Sequence, residues 1–229
     1  MMHQAKWFID AAAAAGVQHF VHLTADPPRS TFVQHIAWHE LIDNYIEMKL
    51  PSKGTFLQPG FFTENLVSYN GRSRVNGGEL SVMGVPGSVL PFISCEDIGE
   101  VAASCLLDPD RHAGKSYRLF AEARSIEDAV STISSTIGLT PLTVKYVTPQ
   151  DIYNEALALD AQDGGRLAYF ASLRHNLQDA TELTARARKA PGGKVFVPPV
   201  YPEVIREIIG RPPLTVVQWA VRNRRYFKL

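Results

Sequence analysis

The sequence predicts an α/β fold, a doubly wound parallel sheet carrying a smaller, mostly helical C-terminal lobe. Three observations predict it. Helical and strand-like stretches alternate with short connections from residue 3 to residue 57, the grammar of a parallel sheet with helices on its faces. Helix-start signals of the form Ser/Thr-x-x-Asp then recur at Ser94, Ser125 and Thr148, where a hydroxyl caps a free backbone N–H. Beyond them the pattern is mainly helical, broken by a loop from Ala190 to Pro199.

Taken in order, residues 3–15 form an alanine-rich helix closed by Gly16, a good residue for a left-handed helix end. Val17–Leu23 (VQHFVHL) is strand-like, and Thr24–Ser30 is a polar loop containing proline. Thr31–Lys49 is a long helix whose apolar stripe is Val33, Ile36, Ala37, Leu41, Tyr45 and Met48. Thr55–Leu57 is a short strand stopped by Pro59 and Gly60. Phe61–Pro91 is glycine-rich and irregular, with short strands expected at Glu79–Met83 and Leu90–Ile93. A capped helix from Ser94 to about Leu107 ends at Asp108-Pro109, Ser116–Phe120 is a strand, and a second capped helix runs from Ser125 to Gly138. Leu142–Val147 is a strand before the third cap, where Pro149 takes the first helical position.

Composition narrows the function classes. With 45% hydrophobic and 20% charged residues, 229 residues are enough to bury a sizeable core. Lys+Arg and Asp+Glu are each 23, so no charge imbalance points to nucleic acid, and Arg222, Arg224 and Arg225 are too few to argue for it. No run of 18 apolar residues suggests a membrane span, and the first helix lacks the pattern of a signal peptide. The cytoplasm is the expected location. Cys95 and Cys105 lie on one helix, about 15 Å apart along its axis, so they are not expected to pair. No metal-ligand spacing involves them.

Several segments together carry a family resemblance. Ala5-Lys-Trp-Phe-Ile-Asp through Ala15-Gly-Val-Gln-His-Phe-Val-His-Leu-Thr24 resembles the fourth helix–strand unit of NmrA-like proteins, which are atypical short-chain dehydrogenases/reductases. Leu57-Gln-Pro-Gly-Phe-Phe-Thr-Glu-Asn65 resembles their LRPGFFMEN segment, and Leu90-Pro-Phe-Ile-Ser-Cys-Glu-Asp-Ile98 their PFIDVEDIA segment. Gly114-Lys-Ser-Tyr117, and Ile209-Gly-Arg-Pro-Pro213 followed by Trp219, also recur there. The resemblance implies a Rossmann-like domain binding NAD(P), here residues 1–120. It implies a substrate lobe, mixed α/β but mainly helical, interleaved with it over 121–229. Such proteins include reductases of quinones, iminium-type alkaloid intermediates and benzylic ethers, and non-catalytic regulators that sense the cofactor.

One family feature is missing. The G-x-x-G-x-x-G turn that brings backbone N–H groups to a pyrophosphate has no counterpart. Gly16 ends a helix, and neither Asn70-Gly71 nor Gly77-Gly78 stands between a buried strand and a helix. The sheet is therefore expected to be incomplete. In the usual strand order 3-2-1-4-5-6, the strand Val17–Leu23 would lie beside strand 1, and without it becomes an open edge. Three readings are open: a fragment, an edge covered by another chain such as a second copy, or an edge covered by rearrangement.

The resemblance also marks a catalytic face. Reductases of the wider superfamily place Tyr and Lys at i and i+4 on one helix. Aligned through Asp43, those positions are His35 and His39. Two histidines at this spacing can exchange protons near neutral pH, or they are simply half-exposed helix residues; a third metal ligand is not evident. Thr24 stands where the family often has Ser or Thr near the nicotinamide, the competing role being a loop-capping hydroxyl. Pro59, Gly60 and Phe61 correspond to residues near the nicotinamide, or form a turn with a core Phe. Phe62, Asn65, Trp38, Tyr69 and Tyr153 are candidate substrate-pocket residues, with Tyr169 and Phe170 as further wall aromatics; such aromatics are otherwise core. Glu96 and Asp97 read as helix-dipole carboxylates.

Three functions are compatible with these residues. One is an NADP-linked reductase, or its remnant, for a small aromatic or polyketide-like molecule. The second is a cofactor-independent isomerase, dehydratase or cyclase using His35 and His39. The third is a non-catalytic binding or regulatory protein.

Overall fold

In the computed structural model the described residues are 2–26, 34–69, 72–73, 75–76, 78–83, 85–138, 142–148, 150–151, 154 and 197–227. Helix α1 (Met2–Ala14) leads into β1 (Phe20–Leu23), α2 (Gln34–Lys49) and β2 (Gly54–Pro59). Then follow β3 (Phe61–Phe62), a 3-10 turn (Thr63–Leu66), β4 (Ser68–Tyr69), β5 (Arg72–Ser73), β6 (Val75–Asn76), β7 (Glu79–Met83) and β8 (Val89–Ile93). Helices α3 (Cys95–Leu107) and α4 (Pro109–His112) precede β9 (Lys115–Leu119), β10 (Glu122–Ser125), α5 (Ile126–Ile137) and β11 (Thr143–Val147). Helices α6 (Pro202–Ile209) and α7 (Val216–Arg222) close the order, before a last 3-10 turn (Arg224–Phe227).

The alternating order gives the expected parallel sheet, β1-β2-β9. Phe20 pairs with Gly54 and Leu23 with Leu57, and Thr55 pairs with Lys115. Because side chains alternate along a strand, the sheet divides two cores. Phe20 and Phe56 face α1 and α2, packing with Ile9, Ile42 and Ile46. Val21, Leu57 and Leu119 face the other way, packing with Ile98, Val101 and Cys105 of α3 and Ile205 of α6. A larger core gathers Leu80, Val82, Ile126, Val130, Ile133, Val216, Trp219 and Phe227 between β7, α5 and the chain end. Strand β8 joins the two, with Phe92 in this core and Ile93 in the one beneath α3.

Helix starts follow the expected chemistry. Ser94 Oγ accepts the Asp97 N–H at 3.0 Å, Ser125 Oγ accepts the Asp128 N–H at 3.1 Å, and Gly138 closes α5 at φ 68°. At Thr148 the box is reciprocal: Asp151 N–H donates to Thr148 Oγ1, and Thr148 N–H donates to Asp151 Oδ2 at 2.8 Å. At Ser94 it is not. Asp97 is fully buried and turns away from the cap backbone, accepting instead from Leu214 N–H at 2.8 Å.

Other readings need correction. The first strand is shorter than Val17–Leu23, because Val17 N–H still bonds Ala12 O at the end of α1. The apolar stripe assigned to α2 is rotated: Leu41 is 53% and Met48 65% exposed, while Ile42, Ile46 and Leu50 are buried. Strand β10 went unpredicted because Glu-Ala-Arg-Ser has no apolar alternation; it pairs antiparallel with β8. Strand β11 pairs parallel with β7. No helix among the described residues is long and apolar enough to cross a membrane.

Candidate functional site

The rotation of α2 puts polar groups against the sheet. His39, Asp43 and Ile46 share the inward stripe at helical spacing and approach the carboxyl end of β1. Along β1, His22 lies on the same face as Phe20 and pairs with Phe56, so its ring meets α2. His22 Nδ1 is 2.7 Å from Asp43 Oδ1, and Thr24 Oγ1 donates to Asp43 Oδ2 at 2.7 Å. One carboxylate thus grips the last histidine of the strand and the first threonine beyond it. The rings of His22 and His39 stand 5.8 Å apart, 32° from parallel.

This geometry sets where the ring proton lies. A carboxylate only accepts, so His22 Nδ1 carries the proton that bonds Asp43. In the neutral ring Nε2 then carries the lone pair. Both side chains keep partial solvent contact. Thr24 is 4% exposed and its hydroxyl proton is committed to Asp43, while its N–H donates to Leu57 O at 2.8 Å. It therefore orients the carboxylate.

The remaining candidates separate. His35 lies in α2, but its side chain is outside the described residues, so the structure places only His39 of the expected pair. Trp38 is half-buried on α2. Gly60 follows β2, where an added Cβ would stand 2.1 Å from Pro91 O; the crossing of backbones demands glycine there. Pro59 pairs with Leu119. Phe61 sits edge-on to Phe92 at 5.4 Å, against the larger core, and Phe62 packs on the core beneath α3. Asn65 is half-buried in the first 3-10 turn. The Tyr69 side chain, Tyr153, Tyr169 and Phe170 lie outside the described residues. Sequence reasoning missed His22 and used Asp43 only as an alignment anchor. The available signal was parity, since His22 and Thr24 share a strand face and Asp43 lies one helical turn beyond His39.

Neither thiol adds a nucleophile. Burial pushes Cys95 up to about 12, with Glu64 beside it, and pushes Cys105 up to about 11. No three His, Cys, Asp or Glu side chains among the described residues are grouped to hold a metal.

A dinucleotide needs a backbone cradle for its diphosphate, and the described residues do not fit one. None of the left-handed glycines, at 16, 78, 87, 114, 138 and 210, stands between a strand end and a helix start. The connection from β1 to α2 contains no glycine. The start of α3 is filled by Ser94 and by Glu64, whose carboxylate accepts Cys95 N–H at 3.0 Å. The start of α5 carries Glu127 and Asp128, and at α7 Glu122 accepts Val216 N–H at 2.8 Å. These carboxylates would repel a diphosphate.

A parallel sheet flanked by helices, with its polar cluster at the carboxyl ends of the strands, defines the nucleotide-fold class of α/β proteins. The NmrA-like family model matches residues 2–191, and the chain belongs to that family. Festuclavine synthase II of Penicillium roqueforti is 27% identical over 131 residues, which are 57% of this chain and 44% of the synthase. The match therefore spans less than half of that relative's length. NmrA, a negative transcriptional regulator solved with NADP, superposes with a TM-score of 0.65 at 18% identity, covering 100% of this chain and 72% of that one. The Escherichia coli NADPH-dependent quinone oxidoreductase, solved with NADPH, gives 0.65 at 15% identity, covering 96% and 71%. At such identities the two structures share the fold with this chain.

Proposed function

We propose that this chain is an NADP-linked reductase, or its remnant, acting on a small aromatic or polyketide-like molecule. The observation that carries the reading is the His22–Asp43 dyad at the carboxyl end of β1. Similarity to a festuclavine synthase and to a quinone oxidoreductase supports the reductase class. His22 Nε2 is the catalytic atom, giving a proton to the substrate or taking one from it. Asp43 is its positioning residue, and Thr24 orients Asp43. His39 lies beside this pair, its ring 5.8 Å from that of His22. The diphosphate of the nucleotide is held by groups other than the described residues, so no step is assigned through it.

The test begins with NADPH titrated into the purified, folded chain, followed by turnover of quinone and iminium substrates. His22→Ala is expected to lower kcat by about 10²- to 10⁴-fold, the worth of a positioned acid or base. Asp43→Asn should keep substrate binding and move the pH profile, because it acts through His22. A folded chain that binds no NADPH retires the reductase reading for this chain. The misfit at the diphosphate then favours a second one, a cofactor-independent isomerase, dehydratase or cyclase using His22 and His39. Its mark is turnover without nucleotide that His22→Ala abolishes.

A further inference from the structure

We infer that His22 and His39, backed by Asp43, form a binding site for one divalent transition-metal ion of the zinc class. The ion takes the lone pair of His22 Nε2 and so inhibits; that consequence rests on the proposed proton transfer, and the site itself does not. The sequence offers histidines at 35 and 39 without an evident further ligand. The fold supplies one from the neighbouring strand. His22 lies on the face of β1 turned toward α2, and its ring centre stands 5.8 Å from that of His39, 32° from parallel. A zinc–nitrogen bond of about 2.0–2.1 Å puts each ring centre about 3.2 Å from the ion, so two imidazoles on one tetrahedral ion have centres about 5.2 Å apart. The observed spacing is within a small side-chain adjustment of that value.

The second observation is the carboxylate behind the ring. A metal-ligating histidine characteristically donates its other ring N–H to a carboxylate, which fixes its tautomer and direction. His22 has this arrangement: Nδ1 meets Asp43 Oδ1 at 2.7 Å, which leaves the lone pair on Nε2. Asp43 is itself held through its other oxygen, which accepts from the nearly buried Thr24 hydroxyl at 2.7 Å. The carboxylate is thus positioned, and its charge partly offsets that of a divalent ion. His22 and Asp43 both keep partial solvent contact, so an ion and its water can enter. Imidazole nitrogen suits zinc and copper, whereas magnesium and calcium favour oxygen. No three His, Cys, Asp or Glu side chains among the described residues form a closed set of ligands. Water therefore fills the remaining positions, the open arrangement of a reversible site and not the closed one of structural zinc.

Calorimetric titration of zinc chloride into the purified chain tests the site, with circular dichroism to check folding. The wild type is expected to bind one zinc ion per chain and to give no response to magnesium chloride. His22→Ala and His39→Ala should each weaken zinc binding at least tenfold. Asp43→Asn should weaken it by about 10- to 100-fold, the usual worth of a carboxylate behind a ligating histidine. If His22→Ala does not fold, Asp43→Asn probes the same ring without touching a ligand. A wild type that binds no zinc overturns the inference. Zinc binding indifferent to both His22→Ala and Asp43→Asn overturns it too, because it assigns the ion to the histidines of α2 alone. The titration needs no substrate, so its failure leaves the proton-transfer reading standing, and a chain without turnover can still bind zinc.

Discussion

Replacing Asp97 with alanine should loosen the attachment of the chain end to the sheet, and its cost can be worked from contacts. Asp97 is fully buried. Its Oδ2 accepts Leu214 N–H at 2.8 Å and Ser94 O–H at 2.8 Å. Arg211 Nη1 lies 2.9 Å from Oδ1, close enough for an ion pair but not aimed as a hydrogen bond. Truncation leaves the Leu214 N–H buried and unmet, at about 1–3 kcal/mol. The Ser94 hydroxyl loses an acceptor, at about 1 kcal/mol. Arg211 keeps Glu100 at 2.7 Å and is partly solvated, so its share is about 0–1 kcal/mol. Asp97→Ala is thus expected to cost about 2–5 kcal/mol. At a urea slope of about 3 kcal/mol/M, the midpoint should fall by about 0.7–1.7 M. Asp97→Asn keeps an acceptor for Leu214 but turns an amide donor toward Arg211, so it should fall between. A loss under about 1 kcal/mol for the alanine variant would refute the idea that Asp97 bolts residues 211–214 to α3.

Two more perturbations follow from the packing. Burial lowers the pKa of His112, whose Nδ1 meets Tyr117 OH at 2.9 Å, and that of His19, whose Nε2 meets Thr55 Oγ1 at 2.8 Å. Both fold best neutral, so their contribution to stability is present above the ordinary histidine value of 6.5 and is lost as pH falls from there toward the lower folded values. Urea midpoints measured from pH 8 to 5 should decline more steeply in the wild type than in His112→Asn. Gly60→Ala should cost about 1–3 kcal/mol, because its Cβ would press on Pro91 O in backbone that cannot yield easily; an unchanged melting temperature would contradict this.

Local signals were legible and long-range ones were not. Ser94, Ser125, Thr148 and Gly138 announced their helix ends because capping depends on residues within one turn. The order of α1, β1, α2 and β2 was readable for the same reason. The facing of α2 was not, because Leu41 and Met48 look like core while the inward stripe includes His39 and Asp43. There, polar contacts from Asp43 to His22 and Thr24 override hydrophobic periodicity. His22 was hidden similarly, in a strand too short for alternation to stand out. Contacts such as Glu64 with Trp219 or Asp97 with Leu214 join residues more than a hundred positions apart, and no local pattern encodes them.

Glu64 shows why the start of α3 is not an anion site despite its geometry. Helix N-termini attract anions through free N–H groups and the axial dipole. Here the anion is built in. Glu64 bonds Cys95 N–H through both oxygens, at 3.0 and 3.1 Å, and accepts the Trp219 indole N–H at 2.9 Å. Trp219 is buried edge-on against Phe227, so the carboxylate ties the last helix to α3 while satisfying its first turn. Glu64→Ala removes charged hydrogen bonds to two donors, one part-buried, and should cost about 2–4 kcal/mol. Glu64→Gln keeps an acceptor for each donor and should cost about 1 kcal/mol. Removing the carboxylate also vacates the helix start. Inorganic phosphate should then raise the melting temperature of Glu64→Ala, by linkage of binding to folding, and leave the wild type nearly unchanged. Equal responses of the two proteins to phosphate would show that Glu64 does not occupy the place of an anion, and would reopen the start of α3 to an external one.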